Sequence, residues 1–465
     1  MNGKKRILAM VLAMMMLAAL MLSGCSSEPQ QSEQPQQSGQ SGTGEEKPAE
    51  KPAEKTRVRV QWIGDFKMED STDAISGQTN KGLSVLEEAF EKEHADIDVE
   101  FILMGWDDYQ KKTQTMIMAK EADVYQLPGI ASIADQGLLE PLQPYIDRDS
   151  FDLSVYIDGQ IDGWKVVGPD DSEPQIYGLP MIADTRFIVY DKQIFDDWGV
   201  EYLSAEPTPE EVLEKAKLMT GTNPKTGKEN FGVFYKGTDG ADAVMNVNEA
   251  FGGRWGEGWR MNELKMELNS DTMKDAFAFM KELNTYAPAG VVANQGGELF
   301  GTADNNIAIN MRCNPAVVNN FNALGLGDRY AVSRLYINEA EGMGGMFAGS
   351  PVGIASTSDV KDAAWEWLKF TASETFMNYF WENQKYEGLP VLKAALNIDS
   401  IKNDANYTAV MNTLPYLWTP RYVYRAGQPK TILTTAFEDV MLNNTDIAAT
   451  LDAAQKEAED WVAQQ

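Results

Sequence analysis

The chain has 465 residues and a formal charge of −30 at pH 7, from 40 lysines and arginines against 70 aspartates and glutamates. A surface this acidic repels nucleic acid phosphates and anionic lipid headgroups, which argues against a polyanionic ligand. The length exceeds what one compact core supports, so we expect at least two lobes.

The first 24 residues have the features of a secretory signal. The basic stretch Lys4-Lys5-Arg6 precedes an apolar stretch, residues 7–22, which is short for a membrane span. It ends in Leu22-Ser23-Gly24-Cys25, which resembles a bacterial lipobox, a signal in which the cysteine becomes the lipidated first residue of the mature chain. We therefore predict a signal peptide over residues 1–24 and a lipid anchor at Cys25, where several acyl chains would hold the chain stably in a bilayer.

Residues 25–55 form a low-complexity segment that separates this signal from the rest of the chain. They consist largely of Ser, Gln, Glu, Pro and Gly, and they contain two copies of Lys-Pro-Ala-Glu at residues 47–54. Such a composition cannot bury enough apolar surface to fold. We predict a disordered tether, on the order of 30 Å from end to end, that holds a folded body off a membrane.

Beyond the tether, the hydrophobic pattern alternates between strands and helices. The predicted strands cover residues 57–62, 97–103, 122–127, 187–190, 231–235, 306–310, 329–336 and 352–355. The predicted helices run through residues 83–90, 109–118, 271–286, 363–368, 431–442 and 446–462, and further helices begin at Thr208 and Pro315. Because strands and helices alternate, the pattern predicts a parallel sheet with helices on its faces.

The stretch from Tyr177 to Phe195 places charges beside a predicted core strand. It opens with a Gly-x-Pro turn signal at residues 178–180, and Asp184 and Arg186 then precede the β-forming run 187–190. Charges next to a core-forming strand need a partner, water or a ligand. We therefore expect a polar function at this position.

Short motifs recur in a fixed order along nearly all of residues 57–463. They are Leu86-Glu87-Glu88-Ala89-Phe90-Glu91, Ala122-Asp123-Val124-Tyr125-Gln126, Gly137-Leu138-Leu139-Glu140-Pro141-Leu142, Tyr177-Gly178-Leu179-Pro180, Val189-Tyr190-Asp191-Lys192, Phe251-Gly252-Gly253, Ile307-Ala308-Ile309-Asn310, Ala364-Trp365-Glu366-Trp367-Leu368-Lys369-Phe370 and Gly388-Leu389-Pro390. Together, behind a lipobox and a tether, they resemble the family 1 extracellular solute-binding proteins, the carbohydrate-capturing lipoproteins of ABC importers.

The resemblance implies an α/β, two-lobed fold of the periplasmic-binding-protein type, with a mainly helical C-terminal tail and a ligand cleft between the lobes. The implied segments are residues 56–182 with about 352–412 for lobe one, and residues 183–351 with about 413–465 for lobe two. The implied hinge crossings lie at residues 177–182, near residues 349–352 and near residues 412–415. Hinges of this kind absorb lobe closure in a few backbone torsions.

Ligands of open α/β sheets lie outside the carboxyl ends of the strands, which nominates the residues that follow each strand. These are Trp62 and Asp65 after the first strand, Trp106 after the second, Gln126 after the third, and Arg312 in the second lobe. The resemblance adds Asp184, which falls where the family places an acidic sugar ligand, and it supports Asp65. The alternatives are an ion pair of Asp184 with Arg186, and solvation alone for Asp65 and Gln126.

Aromatic side chains in turns and loops are candidates for packing against the apolar face of a sugar ring. They are Trp62, Trp106, Trp255 and Trp418, of which Trp418 lies near a position where relatives often offer an aromatic. Relatives often carry a glycine and an aromatic after the Ile-Asn strand, whereas Met311-Arg312-Cys313 follows here. Arg312 is therefore expected to replace that aromatic platform by hydrogen bonding or stacking.

The resemblance, together with the lipobox-like signal, implies a non-catalytic binding subunit of an ABC importer, anchored on the outer side of a bacterial cell membrane. We expect a monomer that captures a sugar or oligosaccharide, delivers it to permease subunits, and uses no metal, cofactor or nucleic acid. A polyamine is an alternative ligand, since it suits an acidic, aromatic cleft. A lipid-anchored glycoside hydrolase is a further alternative, although the sequence has no Gly-x-Ser-x-Gly, His-Glu-x-x-His or Cys/His metal motif.

Overall fold

The computed structural model describes residues 55–72, 77, 79–107, 109–235, 240–254, 256–338, 343–344, 346–383, 389–412, 414 and 427–465. The predicted signal peptide, the predicted lipidation site Cys25 and residues 25–54 of the predicted tether lie outside these residues. No helix within the described segments is long and apolar enough to cross a membrane.

The secondary structure alternates along the chain, as the hydrophobic pattern predicts. The strands are β1 (Thr56–Ile63), β2 (Ser71–Thr72), β3 (Thr79–Asn80), β4 (Ile97–Met104), β5 (Val124–Gln126), β6 (Leu179–Asp191), β7 (Gly221–Thr222), β8 (Glu229–Phe234), β9 (Gly256–Glu257), β10 (Lys265–Met266), β11 (Ile307–Cys313), β12 (Tyr330–Arg334), β13 (Ile337–Asn338), β14 (Met343–Gly344) and β15 (Met346–Ile354). The helices are α1 (Ser84–Glu93), α2 (Tyr109–Met118), α3 (Ile130–Asp135), α4 (Gln143–Asp149), α5 (Gln160–Gly163), α6 (Lys192–Trp198), α7 (Pro209–Leu218), α8 (Gly240–Ala250), α9 (Asp271–Leu283), α10 (Pro315–Ala323), α11 (Lys361–Thr371), α12 (Glu374–Asn383), α13 (Asp399–Lys402), α14 (Ala405–Met411), α15 (Gly427–Asn443) and α16 (Ile447–Val462).

A mixed sheet organises the folded body. Within the described residues it has nine strands in the order β4-β1-β5-β15-β6-β11-β8-β7, and β12 also pairs with β6. Strand β1 runs parallel to β4 and β5, and β11 runs parallel to β8. Strands β15 and β6 run antiparallel to each other, and each is antiparallel to its next neighbour in the sheet. The predicted parallel pairing is present in both halves, but the sheet as a whole is mixed, because the chain crosses between the halves and returns along an antiparallel pair.

Strand β6 belongs to both halves of the sheet. Residues 179–186 pair with β15, whereas residues 187–191 pair with β12 and β11. The first half of the sheet then contains β4, β1 and β5, and the second half contains β11, β8, β7 and β12. Helices α15 and α16 end the chain. The predicted two-lobed α/β architecture with a helical tail is confirmed.

Most elements are predictable because their signals are local. The helix predicted over residues 109–118 spans Tyr109–Met118, and Thr208 caps α7 by accepting a hydrogen bond from the Glu211 N–H at 3.2 Å. The strand predicted over residues 352–355 is too short, since β15 already begins at Met346. Gly349 and Pro351 interrupt the alternation of apolar and polar residues along this strand, and both residue types are rare inside strands. The hydrophobic pattern therefore did not predict the crossing strand at full length.

Aromatic rings fill the core of the first half, between the sheet and helix α11. The rings of Phe101 and Trp367 meet edge-to-face at 5.4 Å between centroids, and those of Phe90 and Trp367 at 5.2 Å. Fully burying one such side chain contributes about 1.5–3 kcal/mol. This packing fixes strand β4 against the helices, so the loops that follow the strands extend from a rigid base.

A cluster of charges joins the end of α4 to α11. The Asp149 carboxylate accepts hydrogen bonds from Arg148 Nε at 2.7 Å, from Trp365 Nε1 at 2.8 Å and from Lys369 Nζ at 3.1 Å. These bonds, the one from Arg148 first, hold the pKa of Asp149 well below its usual range. Each bond favours the ionised carboxylate in the folded chain.

This charge cluster is expected to make the stability of the folded chain depend on pH in the acid range. The pKa of Asp149 is lower in the folded chain than its unfolded value of about 3.9. The contribution of this carboxylate to the free energy of unfolding is therefore complete above pH ~4 and is lost as the pH falls toward the folded pKa. We expect Asp149→Asn to lose less unfolding free energy than the wild type between neutral pH and pH ~3, as measured by urea titrations. Equal losses in both proteins would contradict this role for Asp149.

Candidate functional site

The carboxyl ends of β4 and β1 lie side by side at one edge of the sheet. The Gly64 N–H, just after β1, donates to the Met104 carbonyl at the end of β4 at 2.9 Å. Asp65 follows with an exposed side chain. Trp106 follows β4, is 43% exposed, and meets Tyr109 edge-to-face at 5.4 Å between ring centroids. A carboxylate and an aromatic ring are therefore both accessible at this edge.

The crossing strands β6 and β15 continue the sheet beside β5. Asp184 lies opposite Ala348 in this pair, and Gly349 has φ of 132°, a conformation that favours glycine. The half-buried Arg186 donates from Nη1 to the Thr185 carbonyl at 3.1 Å. The backbone thus places Asp184 and Arg186 on the segment that links the two halves of the sheet, and the role of the neighbouring residues 177–182 as a hinge stays a prediction.

Gln126 connects three strands and is no longer a candidate ligand contact. Its Oε1 accepts from the Ile63 N–H at 2.8 Å, and its Nε2 donates to Ser350 Oγ on β15 at 3.0 Å. Its own N–H donates to Gln61 Oε1 at 3.1 Å. Because the side chain is buried and both ends of its amide are bonded, Gln126 holds the end of β1 and the crossing strand together. The predicted ligand contact is corrected accordingly.

Trp62 is also removed from the predicted stacking residues. The residue is 1% exposed, and its ring stacks on Phe380 with 5.7 Å between centroids. Phe66 and Phe101 meet the same ring edge-to-face at 5.6 and 5.5 Å. Aromatic neighbours on several sides leave no ring face for a sugar, so Trp62 contributes core packing.

Arg312 lies in a buried charge cluster in the second lobe. Its side chain is 1% exposed, and its Nη2 lies 3.5 Å from Asp242 Oδ2 on helix α8. Lys430 Nζ on α15 lies 2.6 Å from the same oxygen. The guanidinium therefore ties β11 to α8 and does not form an exposed platform at the strand end. The prediction of an Arg312 ligand contact is corrected on this ground.

Three predicted contacts cannot be placed. Trp255 and Trp418 lie outside the described residues, and so does the side chain of Asp184. The third crossing, predicted near residues 412–415, is described only at 412 and 414. Of the remaining predictions, Asp65 and Trp106 share the edge of the first half, and Arg186 lies on the crossing strand.

Sequence reasoning missed a contact between segments that lie before and after strand β6 in the chain. Arg260, in the loop after β9, donates from Nη1 to the Pro169 carbonyl at 2.7 Å and from Nη2 to the Asp171 carbonyl at 2.5 Å. Next to it, the Met261 N–H donates to Asp135 Oδ2 at the end of α3 at 3.0 Å. Pro169, Asp171 and Asp135 precede the crossing, whereas Arg260 and Met261 follow it. No local pattern marks these residues, because the contact joins segments about 90 to 130 residues apart.

The loop that receives Arg260 is fixed by the first residue of the crossing segment. The Tyr177 hydroxyl donates to Asp171 Oδ2 at 2.8 Å, and the Gly168 N–H donates to the same oxygen at 2.8 Å. Burial and the neighbouring Asp171 carboxylate raise the pKa of Tyr177, so its hydroxyl keeps its proton. The Asp171 carbonyl is thereby held in place for the Arg260 guanidinium.

The side chains at this edge suit non-covalent binding of a polar molecule. Carboxylates accept hydrogen bonds from hydroxyl or ammonium groups, guanidinium groups donate, and an exposed indole offers an apolar face. In the segments that the structure describes, no three His, Cys, Asp or Glu side chains are grouped to hold a metal ion.

Comparison with protein families and curated proteins gives one consistent result. Residues 76–377 match the family described as bacterial extracellular solute-binding protein. A protein of Brucella abortus named as a binding protein is 22% identical over 389 residues, which cover 82% of this chain and 90% of that protein. A protein of Brucella suis named in the same way matches to the same extent.

Solved structures share the fold at low sequence identity. The sugar-binding protein MalE from Xanthomonas citri superposes with a TM-score of 0.69 at 20% identity, over 88% of this chain and 98% of that one. An ABC substrate-binding protein from Listeria monocytogenes in complex with cycloalternan gives 0.66 at 21% identity, over 88% and 99%. The maltose-bound MalE3 of T. maritima gives 0.64 at 19% identity, over 87% and 99%.

Proposed function

The chain belongs to the bacterial extracellular solute-binding proteins, and on that basis we propose that it captures a sugar or oligosaccharide between its two lobes and releases it unchanged. The observation that supports this best is the position of the crossing strands β6 and β15, next to the edge where Asp65 and Trp106 are exposed. A carboxylate and an indole together match the hydroxyl groups and the apolar face of a sugar ring.

The lobe boundaries are part of the proposal. Lobe one comprises residues 56–182 and about 352–412, and lobe two comprises residues 183–351 and about 413–465. Strand pairing supports a change of lobe within β6, because the partners of β6 change from β15 to β12 and β11 near residue 186. Ligand contacts come from Asp184, Asp65, Trp106 and Arg186, with Trp255 and Trp418 as stacking residues.

The proposal also includes a place in the cell. The family is extracellular, and the lipobox-like sequence at Cys25 supports a lipid anchor on the outer side of a bacterial membrane. From there a monomer delivers its ligand to the transmembrane subunits of an ABC importer. Labelling with a fatty-acid analogue tests the anchor: the wild type is expected to incorporate it, and Cys25→Ser is not.

Binding and product analysis test the ligand class. Isothermal titration calorimetry with a panel of neutral mono- and oligosaccharides is expected to give stoichiometric binding of at least one member. Chromatography of the same samples is expected to recover the sugar unchanged. Cleavage of a glycan without a partner protein would establish the glycoside hydrolase alternative, and tight binding of spermidine without any sugar would establish the polyamine alternative.

Replacing Arg260 by alanine is expected to weaken ligand binding about tenfold. The Arg260 bonds to Pro169 and Asp171 connect the two lobes, so their loss favours conformations in which the lobes are apart. Titration calorimetry measures the affinity, and small-angle scattering of the free protein measures the expected increase in radius of gyration.

Lys265→Ala is the matched control for Arg260→Ala. Lys265 lies on β10 of the same lobe, and its ion pair with Glu257 at 2.9 Å stays within that lobe. This variant is expected to bind as the wild type does. Unchanged affinity and unchanged dimensions in Arg260→Ala would show that the contact does not contribute to closure.

A further inference from the structure

Strand β15 changes its pairing at an irregular point. Residues 352–354 pair with β5, whereas residues 346–350 pair with β6. The register of the β6–β15 pair shifts between Ser350 and Pro351, and the preceding Gly349 has φ of 132°. The Leu127 N–H, just after β5, donates to the Pro351 carbonyl at 2.9 Å. Backbone bonds from the β5 side therefore reach as far as this irregular point of the crossing strand.

A side-chain hydrogen bond extends the connection one residue further. Gln126 Nε2, at the end of β5, donates to Ser350 Oγ at 3.0 Å, and both residues are 2% exposed. A buried hydrogen bond lies in surroundings of low dielectric constant, so it is stronger than the same bond in water, and leaving one partner unsatisfied is costly. The Gln126–Ser350 bond therefore restrains the direction in which the crossing strand leaves β5.

The oxygen of the same amide group holds the strand end that leads to Asp65. Gln126 Oε1 accepts from the Ile63 N–H at 2.8 Å, and Asp65 follows two residues later with an exposed side chain. The oxygen and the nitrogen belong to one planar group, so a rotation that breaks one bond also displaces the other atom. A displacement of Ser350 is therefore transmitted to the Ile63 N–H through one rigid group.

A second branch of this network leads toward Trp106. The Gln126 N–H donates to Gln61 Oε1 at 3.1 Å, and Gln61 Nε2 donates to Thr113 Oγ1 on α2 at 3.1 Å. Gln61 and Thr113 are buried as well. Helix α2 begins at Tyr109, whose ring meets that of Trp106 edge-to-face. Both exposed candidates at the edge of the first half are thus supported from Gln126.

The other candidate contacts lie on β6, close to Ser350. Ser350 pairs with Ile182, and Asp184 and Arg186 follow on the same strand, two and four residues later. At about 3.3 Å per residue, their backbone positions are ~7 and ~13 Å from Ile182 along the strand. A restraint on Ser350 therefore acts near the backbone that carries Asp184 and Arg186.

We propose that Gln126 is a positioning residue for ligand capture, which fixes the separation between two sets of candidate ligand contacts. One set, at the edge of the first half, is Asp65 and Trp106. The other set, on β6, is Asp184 and Arg186. The inference rests on the proposed function, in which one sugar contacts both sets. Because a binding constellation tolerates displacements of only about 0.5 Å, a fixed separation selects the ligands that reach both sets.

Ser350→Ala tests this role without changing any proposed ligand contact. In the free, full-length protein, hydrogen–deuterium exchange of the Ile63 amide, followed by NMR, is expected to become about tenfold faster, since the Gln126 amide loses one of its two bonds and releases the Ile63 N–H more often. Titration calorimetry with D-glucose, maltose and maltotriose measures binding. Each of these sugars that the wild type binds is expected to bind Ser350→Ala about tenfold more weakly.

Ser358→Ala is the matched control, at the opposite end of the same strand. Ser358 Oγ donates to Asp123 Oδ1 at 2.9 Å, a buried bond just before β5 begins. This variant is expected to lower the urea midpoint at least as much as Ser350→Ala does, because its bond involves a charged group. Exchange of the Ile63 amide and the sugar affinities are expected to stay as in the wild type.

The two measurements separate this proposal from the proposed function. The positioning role is overturned if the Ile63 amide exchanges in Ser350→Ala as it does in the wild type, or if Ser350→Ala and Ser358→Ala weaken sugar binding equally. If the wild type binds none of the sugars, the result counts against the proposed function, and exchange of the Ile63 amide alone then decides whether Gln126 connects the two sets.

Discussion

Arg329→Leu is expected to lower the free energy of unfolding by about 3–5 kcal/mol. Asp191 has no solvent exposure, and its carboxylate receives Arg329 Nε at 3.0 Å and Arg329 Nη2 at 2.6 Å. Asn305 Nδ2 donates to the same group at 2.8 Å. Without the guanidinium, a buried carboxylate at the end of β6 keeps only neutral donors, and a buried charge without a counter-ion is strongly destabilising. Urea titration with a linear extrapolation measures the loss.

Arg57→Leu is the matched control for this large effect. Arg57 pairs with Asp98 at 3.1 Å, but its side chain is 62% exposed. Water already screens that pair, so the expected loss is below about 1 kcal/mol. If the two variants lose similar amounts, burial of Asp191 is not the source of the destabilisation.

Asp184→Ala is expected to weaken binding of the captured sugar about 100-fold. The proposed function gives Asp184 hydrogen bonds to vicinal hydroxyls, and bonds to a charged group contribute about 1.5–3 kcal/mol each. Stability is expected to change by less than about 0.5 kcal/mol, since a residue kept for ligand contact contributes little to folding. Calorimetry gives the affinity and thermal unfolding gives the stability.

The control for Asp184→Ala is Asp162→Ala, at an exposed aspartate that forms an ion pair with Lys165 at 2.7 Å. This change is expected to alter neither affinity nor stability. A loss of stability in Asp184→Ala with unchanged affinity would identify Asp184 as a structural partner of Arg186. That was the alternative that the sequence left open.

Local signals accounted for most of the secondary structure. Helix α7 was predictable from Thr208 and Pro209, because capping and the first-turn proline act within four residues. Helix α9 was predictable from the spacing of Phe277, Met280 and Leu283, all of which are buried. Strand β15 was predicted only at its end, because Gly349 and Pro351 interrupt its alternation of apolar and polar residues. Its pairing with β6 and β5 stabilises the strand in the folded chain despite these two residues.

The candidate site was predicted less well than the fold. Asp65 and Trp106 are exposed at the strand ends, where the rule for open sheets places ligand contacts. The same rule also nominated Trp62, Gln126 and Arg312 as ligand contacts, but the structure buries all three side chains. The end of a strand can be located from the local sequence. Whether a side chain at that position is buried depends on helices and strands that pack there from distant parts of the chain.

The sequence by itself determined the alternation of elements and the family. These depend on turn signals, hydrophobic periodicity and motif order, which are properties of neighbouring residues. Only the tertiary structure decided that Gln126 bonds Ser350 and that Arg260 bonds the Pro169–Asp171 loop. Those features join residues far apart in the chain, and their energies exist only once the backbone has brought the partners within hydrogen-bonding distance.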